Sequence, residues 1–450
     1  MNQTIQDFTS GNMARQMLRF AWPLFLANLL QTLYSIVDMV VVGQFVGSGG
    51  LAALSSASMI VFVITSLCTG ITTGGAVLVA QYEGAHKKQR RVHTIGTLFT
   101  LSMLLSVLVT VSSLLLYHPL LELMQLPKEA MQYADDYMGI VCMGTVFVFG
   151  YNAVCAVLRG LGDSRRPLYF VLAAAIANIV LDLLLVGVFR MDTRGAAIAT
   201  VVSQGISFFV AAVSLKRSRL AVGAYSAGLF LSKTAKLILK IGLPTAGQMA
   251  ILNLSYLIAT GMLNVFGVAV AAASGIGLKL NTVAAMPIWA VGQAVTTIAG
   301  QMMGAGDMQR AQITGKTGAQ LCIAAAVITT ILFQLFAGPL VMLFNADPDV
   351  VREGILYLRI CCSLNCIVYA VMYAYNSFAT GVGDAMFSFL NSMLDCVVIR
   401  ILGSFLLGFS FGCGFIGIYI AESFAPVLPA IVAGIYFTRR RWMAKRLVGT

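Results

Sequence analysis

Charge is scarce in this sequence. Asp, Glu, Lys and Arg make up 10% of its 450 residues, where soluble globular domains carry about a quarter. Apolar residues reach 59%, and a water-soluble domain is excluded. Histidine is rarer still: His86, His93 and His118 all lie in loops or at the edges of apolar runs, and no HExxH pair exists. Asp135 and Asp136 continue as Tyr137, Met138 and Gly139, so no DDxxD metal site forms and an intramembrane enzyme is not expected. The nine cysteines follow neither zinc nor disulfide spacing and read as small core hydrophobes. No short signal-peptide core with a cleavage site precedes the first apolar stretch, which is expected to stay as a helix. The net charge of +12 comes in short basic clusters between apolar segments rather than in one patch. Membrane orientation explains that pattern, and nucleic acid does not.

What the chain does have is a series of apolar runs of spanning length. They begin near Met17, Leu51, Thr94, Ala134, Leu168, Gly195, Ile241, Val270, Thr317, Gly354, Phe387 and Phe415. Twelve spans of about twenty residues use about 240 residues and leave only short loops. The expected fold is an all-α membrane protein of twelve transmembrane helices. Of the 29 Lys and Arg residues, 22 fall on the side that holds both termini and five on the other (Lys128, Arg190, Arg194, Arg352 and Arg359); Lys279 and Arg400 lie within spans. By the positive-inside rule the termini are cytoplasmic.

An internal repeat organises the chain. Pro23 corresponds to Pro244, QYEGAHKKQR from Gln81 to QMMGAGDMQR from Gln301, Pro127 to Pro348, and GLGD ending at Asp163 to GVGD ending at Asp384. With six spans per copy, both copies enter the membrane from the same side. The expected organisation is an N-terminal six-helix lobe over 1–220, a cytoplasmic linker over 221–240 and a second lobe over 241–450, with the two parallel lobes facing a central cavity. Glycine, at 43 residues, exceeds its average share and recurs at small-xxx-small spacing in Gly70/Gly74, Gly300/Gly304 and Gly408/Gly412, as close helix packing requires. Pro23, Pro244 and Pro287 each remove a helical hydrogen bond and read as kinks.

Polar groups inside the spans are the candidate site. Only four acids lie there: Asp38, Asp182, Asp395 and Glu422. A carboxylate at mid-helix costs about 2.5–3.5 kcal/mol on insertion scales, which makes such residues functional candidates. In the first span Asn28, Gln31, Ser35 and Asp38 recur at helical spacing along one stripe. In the fifth, Asn178 and Asp182 at i, i+4 share a face and can hold one ion or proton together. Asn152 in the fourth span, and Thr200, Ser203 and Gln204 in the sixth, add neutral polarity. The second lobe offers Gln248, Asn253, Thr260, Asn264 and Asn376, and no acid in its first and fourth spans, the seventh and tenth of the chain. Asn391 and Asp395 repeat the Asn-x-x-x-Asp spacing at a different distance from their Gly-Asp loop, and Asp395 reads as a structural ion pair with Arg400.

These residues resemble the multidrug and toxic compound extrusion (MATE) transporters. The resemblance rests on FAWPLFLANLLQTLYSIVDMVVVGQFVG in the first span, VAQYEGAHKKQRR in the 2–3 loop and RGLGDSRRP opening the fifth span. NIVLD at Asn178–Asp182 is similar to the DinF-like branch. That resemblance implies a cation-coupling network of Asp38, Asn152, Asn178, Asp182 and Thr200, with Gln31, Ser35, Asp395 and Arg400 as secondary candidates. It implies export of cationic amphipathic compounds in exchange for protons or sodium, without a cofactor. The proton is favoured, because no acid is read in helices 7 or 10, where the sodium-coupled NorM-like branch carries them. Sodium at Asp38, Asn178 and Asp182 stays open, since oxygen ligands suit it. The chain is read as a monomer in the lipid bilayer of the plasma (inner) membrane. The alternative is a lipid or lipid-linked saccharide flippase, though an anionic pyrophosphate calls for several cavity cations and only Lys279 and Arg400 lie in spans.

The charge asymmetry makes a direct prediction about topology. With the native cysteines replaced, Lys88→Cys should resist a membrane-impermeant maleimide applied to intact cells. Lys128→Cys and Asp349→Cys should react with it. Labelling at position 88 from outside would overturn both the orientation and the span count.

Overall fold

Hydrocarbon offers no partner to a backbone N–H or C=O, so a chain with long apolar runs must close its hydrogen bonds within each segment. The computed structural model, which describes residues 6, 8–124, 126–218, 233–445 and 447, is helical throughout, with no strand among those residues. In chain order the helices are α1 (Met13–Phe45), α2 (Ser48–Gly84), α3 (Lys88–Leu123), α4 (Lys128–Met143), α5 (Thr145–Gly160), α6 (Arg165–Asp182) and α7 (Asp192–Arg217), then α8 (Lys233–Asn264), α9 (Val268–Ala305), α10 (Met308–Leu335), α11 (Ala337–Met342), α12 (Pro348–Cys361), α13 (Leu364–Val382), α14 (Ala385–Met393), α15 (Leu402–Phe405), α16 (Gly414–Phe424) and α17 (Val427–Thr438). A π-helical stretch, Leu183–Val188, continues α6, and two more, Leu394–Ile401 and Leu406–Ser410, flank α15.

Ten of the resulting segments are long and apolar enough to cross a membrane, and two bent pairs bring the number to twelve. The bends fall at equivalent places in the two copies: 47° between α4 and α5 and 48° between α12 and α13. Every spanning helix begins before its apolar run, as α10 does at Met308 where the run begins near Thr317. Helical hydrogen bonding continues into the polar interface, where apolarity has already ended. Two expectations change as a result: the tenth span starts at Pro348, so Asp349 and Glu353 belong to it, and the fourth starts at Lys128 and takes in Asp135 and Asp136, so the acids within spans are more than four.

The chain forms two compact units, Met1–Asp7 with Trp22–Ala246 and Phe8–Ala21 with Gly247–Thr450. Their borders differ from the expected lobes in two ways. Residues 219–232 of the linker region lie outside the described residues, but 233–240 are the opening turns of α8. Lys233, Lys236 and Lys240 face outward there, while Ala235, Ile238 and Ile241 are buried at steps of three, so the apparent linker is an amphipathic helix end. At the other border, Phe8–Ala21 packs within the second unit. Arg310 holds that segment by donating from Nε to the Phe8 carbonyl (2.6 Å) and from Nη2 to that of Gly11 (3.1 Å). The Phe8 ring meets Phe20 edge-on, with centroids 5.6 Å apart.

The repeat reaches atomic detail at the Gly-Asp loops. Gly162 and Gly383 take the left-handed conformation (φ 89° and 102°), which ends α5 and α13. Asp163 N donates to Leu158 O and Asp384 N to Ala379 O, both at 2.8 Å. Each aspartate then anchors a different neighbour. Asp163 Oδ1 accepts from the backbone N–H of Arg165 and of Arg166, whereas Asp384 Oδ2 accepts from the Tyr436 hydroxyl and from Lys445 Nζ, each at 3.1 Å. Close glycine packing repeats as well. A Cβ on Gly160 would stand 2.7 Å from the Ala76 carbonyl oxygen, and one on Gly381 2.5 Å from that of Thr296. Small interior residues face large exposed ones such as Leu115, Val188 and Leu335, the inside-out pattern of a chain solvated by lipid.

These contacts predict that Gly160→Ala and Gly381→Ala each destabilise the fold by about 1–3 kcal/mol through overpacking against backbone. Gly434→Ala, where a Cβ would meet nothing within 4 Å, should be neutral or slightly stabilising. Thermal unfolding of the purified proteins in detergent reads the difference, and equal melting of all three would refute the packing account.

Candidate cation-coupling site

The first unit builds the site around one core. Val41 and Val42 of α1, Leu54 and Ala57 of α2, Tyr137 and Met138 of α4, Val186 of the π-helical stretch and Ala196 and Ala197 of α7 pack together. Because those side chains lock the helices in register, the polar residues one turn away on the same helices converge.

Asp38 is 8% exposed, Asn178 2% and Asp182 0%. The Asp38 Oδ1, both carboxyl oxygens of Asp182, and both Oδ1 and Nδ2 of Asn178 have no hydrogen-bond partner in the protein. Other buried side chains of this unit, such as Ser66 and Ser102, also lack a partner. Among the described residues, however, only Asn178 and Asp182 leave both polar side-chain atoms unpaired, an uncommon and costly arrangement that makes this cluster the candidate ligand site. The carboxyls of Asp38 and Asp182 lie within electrostatic reach of each other. Tyr137 of α4 is hydrogen-bonded with Thr200 of α7 and lies within electrostatic reach of both aspartates. Tyr34, one turn before Asp38 on α1, is hydrogen-bonded with Gln204 and likewise senses the Asp38 charge. A short side-chain bridge, Thr193 Oγ1 to the Tyr133 carbonyl at 2.8 Å, fixes α7 against α4.

The structure thus brings together Asp38, Asp182 and Thr200, with Asn178 one turn before Asp182 on the same buried face. It treats the other candidates differently. Asn152 is half-buried on α5 and donates its amide to the Val148 carbonyl of its own helix at 2.8 Å. Gln31 and Ser35 lie on the same stripe as Asp38 but are exposed. Asp395 and Arg400 belong to the second unit, paired at 3.3 Å, so they are not members of this site. Asn376 and Asn391, also in the second unit, pair with each other, Asn391 Nδ2 donating to Asn376 Oδ1 at 2.9 Å and to the Pro429 carbonyl at 3.1 Å, while Asn376 Nδ2 and Asn391 Oδ1 stay unpaired. Asp135 and Asp136 engage His118 and Arg194, at 2.8 and 2.9 Å. Lys279 is exposed on α9.

Tyr34 and Tyr137 were not singled out from the sequence. Tyr34 carried a usable signal, since it precedes Asp38 by four residues and shares its face. Tyr137 carried none: nothing in a single helix distinguishes a phenol that meets two carboxyls from one that packs.

A site with unsatisfied acids has a signature in stability. Asp182→Leu should raise the melting temperature, by the equivalent of about 1–3 kcal/mol, because it removes a desolvated carboxyl that makes no hydrogen bond. Scanning calorimetry or fluorimetry of the purified protein tests this, and a marked fall in stability would assign Asp182 to the scaffold instead.

Comparison with known proteins agrees with this architecture. A family model described as MatE matches residues 23–184 and 244–406, the same two copies the repeat defines. A Bacillus subtilis (strain 168) protein named "Probable multidrug resistance protein YpnP" is 28% identical over 449 residues, covering 98% of each chain. A Shewanella oneidensis protein named "FAD transporter" is 24% identical, covering 89% of this chain and 90% of its own. Among solved structures, one titled "Outward-facing conformation of a multidrug resistance MATE family transporter of the MOP superfamily" superposes with a TM-score of 0.90 over 97% of both chains at 20% identity, a likeness of fold.

Proposed function

The chain belongs to the MatE family of membrane transporters, whose members are not enzymes, and on that premise we propose that it is a secondary active antiporter exporting cationic amphipathic compounds by alternating access. The observation that carries this reading is the set of buried, unsatisfied polar groups at Asp38, Asn178 and Asp182. Two carboxyls in electrostatic contact and low dielectric cannot both remain charged cheaply, so they take up either a proton or a cation. Cation binding and proton release are linked at such a pair without any covalent step. Thr200 and Tyr137 supply neutral oxygens beside it, whereas Asn152, which donates to the Val148 carbonyl of its own helix, is left out of the network. One-for-one exchange with a monovalent cation moves no net charge, so the concentration gradient of the coupling ion drives it. The membrane potential, worth about 2.3 kcal/mol per charge at 100 mV, contributes only when more than one coupling ion enters per cargo.

The proton is the favoured coupling ion, because the acids of the tenth span, Asp349 and Glu353, sit in its opening turns. Sodium would use the same carboxyl and amide oxygens. We place the protein in the plasma (inner) membrane as a monomer, with both termini in the cytoplasm. The relative named for FAD supports a second reading, an anionic cargo, but Arg400, the buried cation of the second unit, already pairs with Asp395.

Ethidium efflux from membrane vesicles, energised separately by a pH gradient and by a sodium gradient, tests transport and coupling together. Asp38→Asn and Asp182→Asn should each abolish gradient-driven efflux at normal membrane abundance, since Asn keeps the shape and loses the titratable charge. Wild-type rates in Asp38→Asn under either gradient would remove the proposal. Gradient-driven movement of FAD, and none of ethidium, would favour the anionic cargo.

A further inference from the structure

The second unit buries a cluster of charges that the proposed exchange does not use. Asp395 (1% exposed) and Arg400 (4%) lie five residues apart on the π-helical stretch Leu394–Ile401. In an α-helix residues five apart diverge, whereas i→i+5 winding brings them to nearly the same side, which is why Arg400 Nη2 reaches both Asp395 oxygens at 3.3 and 3.4 Å. The guanidinium also covers the ring of Tyr256 on α8, 4.3 Å from its centroid. Its Nε is buried and has no hydrogen-bond partner.

Glu422 of α16, 7% exposed, completes the cluster. Its Oε2 lies 3.4 Å from the Tyr357 hydroxyl of α12, the Cys361 thiol is within hydrogen-bond reach, and its carboxyl interacts electrostatically with Arg400 and Asp395. The other titratable groups nearby are Tyr256, Tyr369, Cys362, Cys366, Cys396 and Tyr419; Glu353 of α12, sensed by Tyr419, carries its own counter-charge in Arg352 at 3.1 Å. Phenols and thiols are neutral at neutral pH in their ordinary range, so the charge count falls on one guanidinium and two carboxyls. With both acids ionised the cluster would bear a net negative charge in a buried setting, a large desolvation cost that one bound proton removes.

We propose that Asp395, Arg400 and Glu422 form a second proton-binding site, in which Glu422 holds one proton while Arg400 pairs with Asp395. The unpartnered Nε of Arg400 is the donor available to Glu422 once that proton leaves. The site shares no residue with the first-unit pair and does not depend on the antiport reading.

Infrared spectroscopy of the full-length protein in lipid nanodiscs at neutral pH reads the protonated-carboxyl C=O stretch directly. Difference spectra against wild type should show one such band lost in Glu422→Gln. The same band should be lost in Asp395→Asn, because the remaining carboxyl then neutralises Arg400 and gives up its proton. Arg400→Met should about double the contribution of the cluster, since both carboxyls become neutral. A band unchanged in Asp395→Asn would show Glu422 to be independent of the ion pair and would overturn the proposal, as would a band that survives in Glu422→Gln. If Glu422→Gln does not accumulate in the membrane, the loss in Asp395→Asn and the gain in Arg400→Met decide the matter on their own.

Discussion

Low dielectric governs this molecule at two scales. For the backbone it demands that every N–H and C=O be satisfied within its own segment, and the chain answers with helices as long as the 38 residues of α9. For side chains it makes each buried polar atom costly unless it is paired, and most are: Asn391 with Asn376, Ser388 with Thr380, Asp163 with the start of α6. Against that background Asn178 and Asp182 differ from the other described side chains in leaving both polar atoms unpaired, and Asp38 beside them leaves one carboxyl oxygen so. A site that must bind and release an ion cannot be saturated by its own scaffold, because a carboxyl already holding two or three donors gains little from a cation.

The two copies of the repeat use one scaffold for different chemistry. Bends, left-handed glycines and glycine-to-carbonyl contacts recur at matching positions, so the mechanical parts are common to both. The chemistry diverges at the fifth span of each copy. Asn178 and Asp182 lie on regular α-helix, and the π-helical turn begins only at Leu183. In the second copy the π-helical stretch already begins at Leu394, so Asp395 is turned toward Arg400 instead of continuing the face of Asn391. The same Asn-x-x-x-Asp spacing therefore yields an open carboxyl in one unit and an ion pair in the other. Backbone winding and residue type make the distinction together: the position five after Asp395 is Arg400 and lies on a π-helical stretch, whereas the position five after Asp182 is Gly187, which has no side chain to pair.

Much of the architecture was legible in the chain. Apolar run length counts spans because the bilayer has a fixed thickness, and the recurrence of Pro, Gly-Asp and Gln-x-x-Gly elements exposes the repeat. The helix ends were less legible. Helices outlast their apolar runs, which is how residues 233–240 passed for linker and how Glu353 was left outside the tenth span.

For the site the division runs along the range of the interactions. The order of amino acids is enough to mark which residues are anomalous in a membrane, since the cost of burying Asp38, Asp182, Asp395 or Glu422 depends on the residue and its span alone. Helical periodicity is likewise enough to put Asn178 and Asp182 on one face. Which of these polar groups find partners was settled by the packing of helices in three dimensions. It left Asp38 and Asp182 near each other and unsatisfied, set Tyr137 with its Thr200 partner within reach of both, turned Asn152 to its own helix, and gave Asp395 to Arg400. Those outcomes depend on contacts between helices far apart in the chain and on where a helix changes its winding, and neither is written in the spacing within a single span.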